Sequence, residues 1–224
     1  MKRKSRVEVS LSTICRGLQA LGLSRKKSKL AAEADPQERA AFRAEQKGLK
    51  IEDLIFLDEF GINLAMTRRH ARAPKGERAR VSEVFNRGPN ISVISAIGLH
   101  AVLAPMTIAG AFNSEVFDVY VAQMLVPHLR AGHIVLLDNV KFHYSPRAIE
   151  LMEAAGASVL HIPAYSPDFN PLEECISKIK EALRSMKART KRKLFNALAK
   201  AIATVTESDI RGWFEHCGYV FSLK

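Results

Sequence analysis

The sequence predicts an α/β domain in which a mixed sheet is flanked by helices, with a short helical segment ahead of it. Two observations carry this. Three apolar runs, Leu54–Asp58, Ile91–Gly98 and Val102–Ile108, read as strands and follow one another with no helical pattern between them. Beyond residue 114 helical and strand patterns alternate, which places helices over the faces of the sheet. With 47 % hydrophobic residues in 224, the chain can bury a core.

The elements follow in order. Residues 7–23, VEVSLSTICRGLQALGL, read as the last helix of a helix-turn-helix. Ser10 or Ser12 caps it, Ile14, Leu18 and Leu21 line its apolar face, and Gly22 stops it ahead of the basic exit SRKKSK. Ser12, Thr13 and Arg16, with Arg25, Lys26 and Lys27 in the exit, are the candidates for DNA contact. Residues 33–50 read as a linking helix, so that 1–50 forms a partial DNA-binding segment and 51–224 the main domain. Ile62–Thr67 is expected to return along the Leu54–Asp58 strand as its hairpin partner, with Gly61 at the turn. The stretch ARAPKGERARV reads as a basic hairpin or loop. A helix over 115–130 is capped by Asn113 or Ser114, and Ile134–Asp138 is a strand. Ser145 caps a helix that begins at Pro146 and ends at Gly156. Ser158–His161 is the last strand, and helices follow over 171–188, 190–205 and 208–216.

Charge is distributed unevenly. Residues 1–50 hold 13 Lys/Arg against 5 Asp/Glu, residues 51–174 hold 10 against 14, and residues 175–224 hold 11 against 4. Basic ends suit a polyanion and an acidic centre suits a cation. The three cysteines are too few and too scattered for a disulfide framework or a zinc site, so a reducing, cytoplasmic setting is expected. No apolar run approaches the ~20 residues of a membrane helix.

The segment HIPAYSPDFNPLEE, His161–Glu174, is the most informative. Pro163, Pro167 and Pro171 fix φ at three points and bias the residue before each away from helix. Asn170 suits an N-cap and Pro171 the first turn, so the loop delivers Glu173 and Glu174 to the start of a helix. Either glutamate also complements the helix dipole there. Asp58 and Asp138 each end an apolar strand. Three carboxylates at element ends, where an α/β sheet opens its crevice, suit Mg²⁺, a hard ion that prefers oxygen ligands. A pair of such ions serves in-line displacement at phosphorus.

The motifs FLDEFGI with Asp58, LLDNVKFH with Asp138, Asn139 and His143, and PAYSPDFNPLEE with Glu173 resemble the DDE transposases of the Tc/mariner superfamily, in particular the bacterial insertion-sequence branch. Asp138 and Glu173 are separated by 34 residues, the spacing this resemblance leads one to expect, and RGWFEHCGY looks like the family's C-terminal end. The resemblance implies an RNase H-like fold and a Mg²⁺-dependent (or Mn²⁺-dependent) cutting and joining of DNA at TA dinucleotides. It implies Asp58, Asp138 and Glu173 as catalytic metal ligands, with Asn139 and His143 near the metal or the DNA. Glu174 follows the family's Glu at a position often held by Asn. The implied partner is double-stranded DNA, as element ends and target, bound by a homodimer in a bacterial nucleoid. Relatives carry a fuller helix-turn-helix region at their N-terminus. A nuclease that cuts without joining, and a silent DNA-binding fragment, are the alternative readings.

Overall fold

The computed structural model describes residues 9–23, 31–68, 70, 72–80 and 85–220. It divides into two compact units, Met1–Ala32 and Glu33–Lys224.

In the first unit, α1 spans Leu11–Ala20. Of the two candidate caps Ser10 takes the role, its Oγ accepting from Thr13 N at 3.2 Å. Gly22, with φ +72°, ends the helix, and Leu23 N returns to Leu18 O at 2.8 Å. No residue of α1 is buried.

The second unit is built on five strands: β1 (Leu54–Ile62), β2 (Ile91–Ile97), β3 (Val102–Ala109), β4 (Ile134–Leu137) and β5 (Ser158–His161). Their order is β3-β2-β1-β4-β5. The β1–β2 and β2–β3 pairs are antiparallel, whereas β1–β4 and β4–β5 are parallel. The sheet is therefore mixed, as expected.

Two expectations about β1 need correction. Ile62–Thr67 is not its hairpin partner; β1 runs unbroken through Gly61 to Ile62 and pairs with β2. Asp58 accordingly lies inside the strand, opposite Ser95, rather than at its end. The apolar run ends at its first charged residue, Asp58, but the hairpin with β2 carries backbone pairing on to Ile62. The parallel ladder with β4 stops at Phe56–Leu136. Asp58 thus projects from a strand whose β4 neighbour has already ended.

Alternation along β1 divides the core. Leu54, Phe56, Phe60 and Ile62 face one layer, formed by α5 (Pro171–Met186), α6 (Lys191–Ile202) and α7 (Glu207–His216). Ile55 and Leu57 face the other, formed by α3 (Ser114–Tyr120) and α4 (Pro146–Ala154). The helix expected over 115–130 is only in part an α-helix. After Tyr120 it widens into a π turn over Val121–Leu125 and then tightens into a 3₁₀ turn over Val126–His128, where Pro127 has no N–H to continue the ladder. Gly156 is required at the end of α4: its φ is +84°, and a Cβ there would stand 2.9 Å from the Ala131 Cα.

The helix expected over 33–50 is α2 (Pro36–Gln46), and it packs against the second unit through Arg39, Phe42 and Gln46. Phe42 is buried in the α5 layer against Phe169, and Gln46 Nε2 donates to Cys217 O at 2.9 Å. Arg39 lies over the Phe169 ring and donates to both oxygens of Asp168, at 2.9 and 2.7 Å. This apolar and ionic seam joins α2 to the rest of the second unit, Glu33–Lys224.

The Arg39–Asp168 pair ties α2 to the loop that carries Glu173. Arg39→Met is expected to lower stability by about 1–2 kcal/mol, because a bidentate charged pair is lost but Asp168 is half exposed and partly screened. Hydrogen bonding from Arg39 holds the Asp168 carboxyl below its ordinary range. The contribution is therefore present above the ordinary aspartate value and disappears as pH falls through the lowered one. Urea unfolding should show the wild-type and variant curves converging at strongly acidic pH; a gap independent of pH would exclude this account.

Candidate active site

Three segments form one cleft of about 450 Å³: the middle of β1, the end of β4, and the loop from β5 to α5. Asp58, Asp138 and Glu173 all line it, with Asn139, Val140 and the stretch Ile162–Pro167.

Internal and tertiary hydrogen bonds brace the proline-rich loop. A 3₁₀ turn spans Pro167–Phe169, Ser166 Oγ donates to Ala164 O at 3.0 Å, and Tyr219 Oη donates to Phe169 O at 2.9 Å. Tyr165 is held at φ +55°, a strained backbone for a bulky residue, and its side chain stands exposed on the cleft wall. Asn170 does two things with one side chain. Its Oδ1 caps α5 by accepting from Leu172 N at 3.0 Å, and its Nδ2 donates to Asp58 Oδ2 at 2.9 Å. The cap that starts the Glu173 helix therefore also orients Asp58.

Asp138 follows β4 directly. Its Oδ1 accepts from Val140 N at 3.1 Å and faces His143 Nδ1 at 2.6 Å. Asn139 fastens the same turn to the far loop, donating to Ile162 O at 2.5 Å and accepting from Tyr144 Oη. Tyr144 in turn stacks flat on His161 at 4.2 Å. Glu173 is in the first turn of α5, whereas Glu174 turns to α7 and meets His216 Nδ1 at 2.6 Å.

Electrostatically the cleft is short of positive charge. Burial pushes the Asp58 carboxyl well above the usual range, and the charges of Glu59, Asp138 and Glu173 push it further. Burial likewise raises Glu59, against an opposing pull from His143. Asp138 is net lowered; burial opposes this, and the hydrogen bond and charge of His143 prevail. Three mutually repelling oxygen donors on one cleft suit a hard divalent cation, whose charge would relieve the repulsion. Among the described residues no three His, Cys, Asp or Glu side chains yet stand together at ligand distance, so binding would draw these side chains inward.

The sequence does not show the position of Glu59 or the second contact of Asn170, to Asp58. The signal for Glu59 was a second acid in an otherwise apolar strand, and for Asn170 a cap whose second amide group needed a partner. Of the DNA-contact candidates, Ser12, Thr13 and Arg16 are exposed on α1. Arg25, Lys26 and Lys27 lie outside the described residues.

The strand order and the two helical layers are those of the RNase H-like fold. Residues 53–195 match the family described as DDE superfamily endonuclease, and the chain belongs to that family. Among solved structures it is similar to a pre-cleavage Mos1 transpososome, with a TM-score of 0.67 at 16 % identity over 94 % of this chain and 69 % of that one. It is similar to a Mos1 transposase paired-end complex with the left transposon end, with a TM-score of 0.66 at 16 % identity over 93 % and 68 %. The catalytic domain of Mos1 mariner transposase gives a TM-score of 0.59 at 14 % identity over 87 % and 94 %. At such identities the likeness is one of fold. No curated protein sequence matches the chain. Among the described residues no helix is long and apolar enough to cross a membrane.

Proposed function

We propose that the chain is a DNA transposase that cleaves element ends and joins them to target DNA, with Asp58, Asp138 and Glu173 as catalytic carboxylates. The observation that supports this most directly is the cleft itself, lined by three acids from β1, β4 and α5, where burial first and then the neighbouring carboxylates raise the cost of ionising Asp58. Mg²⁺ or Mn²⁺ bound there would supply Lewis-acid stabilisation and an activated attacking oxygen. Similar folds have been solved as Mos1 paired-end complexes with Mg and with Mn.

The chain's own residues would hold and aim. Asn170 fixes the rotamer of Asp58, and the turn after Asp138 fixes that carboxylate against β4. Asn139 and Tyr144 brace the cleft wall along which a phosphodiester would be oriented. Glu174, engaged with His216, stands outside the triad. Double-stranded DNA is the partner, contacted in part by Ser12, Thr13, Arg16, Arg25, Lys26 and Lys27, with a homodimer holding two ends. A bacterial nucleoid is the setting.

A duplex carrying an element end tests this. The full chain is expected to nick it at the end with Mg²⁺ or Mn²⁺, and to bind it with strong salt dependence. Each phosphate contact contributes about −0.9 to the slope of log affinity against log salt. Deleting residues 1–30 should flatten that slope and weaken binding broadly. Binding with no nick under either metal would favour a silent fragment, and an unchanged slope after the deletion would remove the N-terminal segment from the interface.

A further inference from the structure

We propose that His143 is a positioning residue for Asp138, and that Glu59 holds the other end of its ring from the opposite face of the sheet. The proposal rests on the reading of Asp138 as a metal ligand.

Strand alternation sets the problem. Asp58 and Glu59 are neighbours on β1 and so point to opposite faces. Asp58 lines the cleft, whereas Glu59 lies on the face of Ile55 and Leu57, beneath α3 and α4. From there it cannot serve as a third ligand beside Asp58 and Glu173. Yet its Oε2 is sealed from water with no hydrogen-bond partner. A carboxylate oxygen left in that condition is expensive unless something answers it.

His143 is what faces it. The residue sits in the 3₁₀ turn Lys141–Tyr144 and is wholly buried. Phe117 and Phe142 hold its ring at 4.9 and 4.6 Å. Nδ1 is 2.6 Å from Asp138 Oδ1. Nε2 is also sealed and makes no hydrogen bond, and it stands 3.7 Å from Glu59 Oε2. Two buried, unpartnered polar atoms thus confront each other across slightly more than a hydrogen-bond length. A small closing movement with one proton between them, on whichever atom, completes a chain from Glu59 through His143 to Asp138.

The consequence falls on Asp138. Both of its partners, Val140 N and His143, engage Oδ1, which leaves Oδ2 as the oxygen available to a cation. While that clamp holds, Oδ1 is engaged and the carboxylate offers the cation one oxygen rather than two. Outer groups of this kind typically contribute 10–100-fold to metal affinity.

The test is calorimetric titration of Mn²⁺ into the full chain without DNA, read beside the Mg²⁺ dependence of cleavage. Asp138→Asn is the reference and should lose Mn²⁺ binding at the cleft. His143→Ala should weaken binding by about 10–100-fold with its circular dichroism unchanged. Glu59→Leu should weaken it by a smaller factor, and Glu59→Gln, which keeps a polar partner for Nε2, should restore most of that loss. His143→Asn places an amide donor near the Nδ1 position, and His143→Gln places one near Nε2. The Asn variant should therefore bind Mn²⁺ clearly more tightly than the Gln variant. Equal affinities in that pair, or a folded His143→Ala that binds as wild type, would overturn the proposal even if Asp138→Asn is defective; should His143→Ala not fold, the Asn and Gln pair decides. Unchanged Mn²⁺ binding in Asp138→Asn would instead overturn the reading of the cleft.

Discussion

Asp58→Asn, Asp138→Asn and Glu173→Gln are each expected to reduce metal-dependent cleavage at least about a thousandfold, ~4 kcal/mol at the transition state, without unfolding the domain. Asp58→Asn should also make the metal-free protein more stable. Burial raises the Asp58 carboxyl first, and the charges of Glu59, Asp138 and Glu173 raise it further. A group raised in this way favours the fold below its ordinary pKa, and that contribution is lost as pH rises through the folded value. At neutral pH the ionised form therefore works against the fold, and a neutral amide removes the penalty. The variant keeps an oxygen that can accept from Asn170 or from the Glu59 amide, the two donors that Asp58 serves. In thermal melts without metal, Asp58→Asn should unfold at or above the wild-type temperature, each kcal/mol being worth about 2–4 °C in a domain of this size. Added Mg²⁺ should raise the wild-type melting temperature and leave that of the variant unmoved. Glu174→Gln, a change at a residue engaged with His216, should stay active. Activity retained in Glu173→Gln and lost in Glu174→Gln would shift the assignment by one position.

Much of this arrangement was legible in the sequence because local chemistry dictates it. The Asn170–Pro171 start of α5, the Ser145–Pro146 start of α4 and the position of β5 follow from caps, fixed φ angles and apolar runs. These act within a few residues. The failures have a common cause, which is pairing between distant segments. Nothing local says that β1 continues past Asp58; its partner Ile91–Ile97 lies some thirty residues on, and the ladder with it overrides the charge. Nothing local ties Arg39 to Asp168 across 129 residues, so a charged, Ala-rich helix looked like a linker. The same holds at the cleft. Asp58, Asp138 and Glu173 could be named from their segments. The second role of Asn170 and the position of Glu59 behind the sheet appear only when the strands are assembled.

Strand joining, rather than cutting, separates a transposase from a nuclease of the same fold. A pre-cleaved element end with a free 3′-hydroxyl, mixed with duplex containing TA dinucleotides, is expected to yield a covalently joined product whose junctions fall at TA. The expectation that one cleft serves both steps follows from geometry. Water and a 3′-hydroxyl are equivalent in-line nucleophiles, and the carboxylates that hold the site for one hold it for the other. The carboxylate variants should therefore lose joining and cleavage together. Mg²⁺ or Mn²⁺ should support the product and Ca²⁺ alone should not. Ca²⁺ accepts six to eight oxygen ligands in loose geometry, whereas Mg²⁺ demands a near-octahedral set, so Ca²⁺ should support DNA binding without turnover. Sequencing the junctions gives the readout. Nicked ends with no joined product under Mg²⁺ or Mn²⁺ would assign the chain to the nuclease reading, and junctions scattered without regard to TA would keep the transposase while removing its target preference.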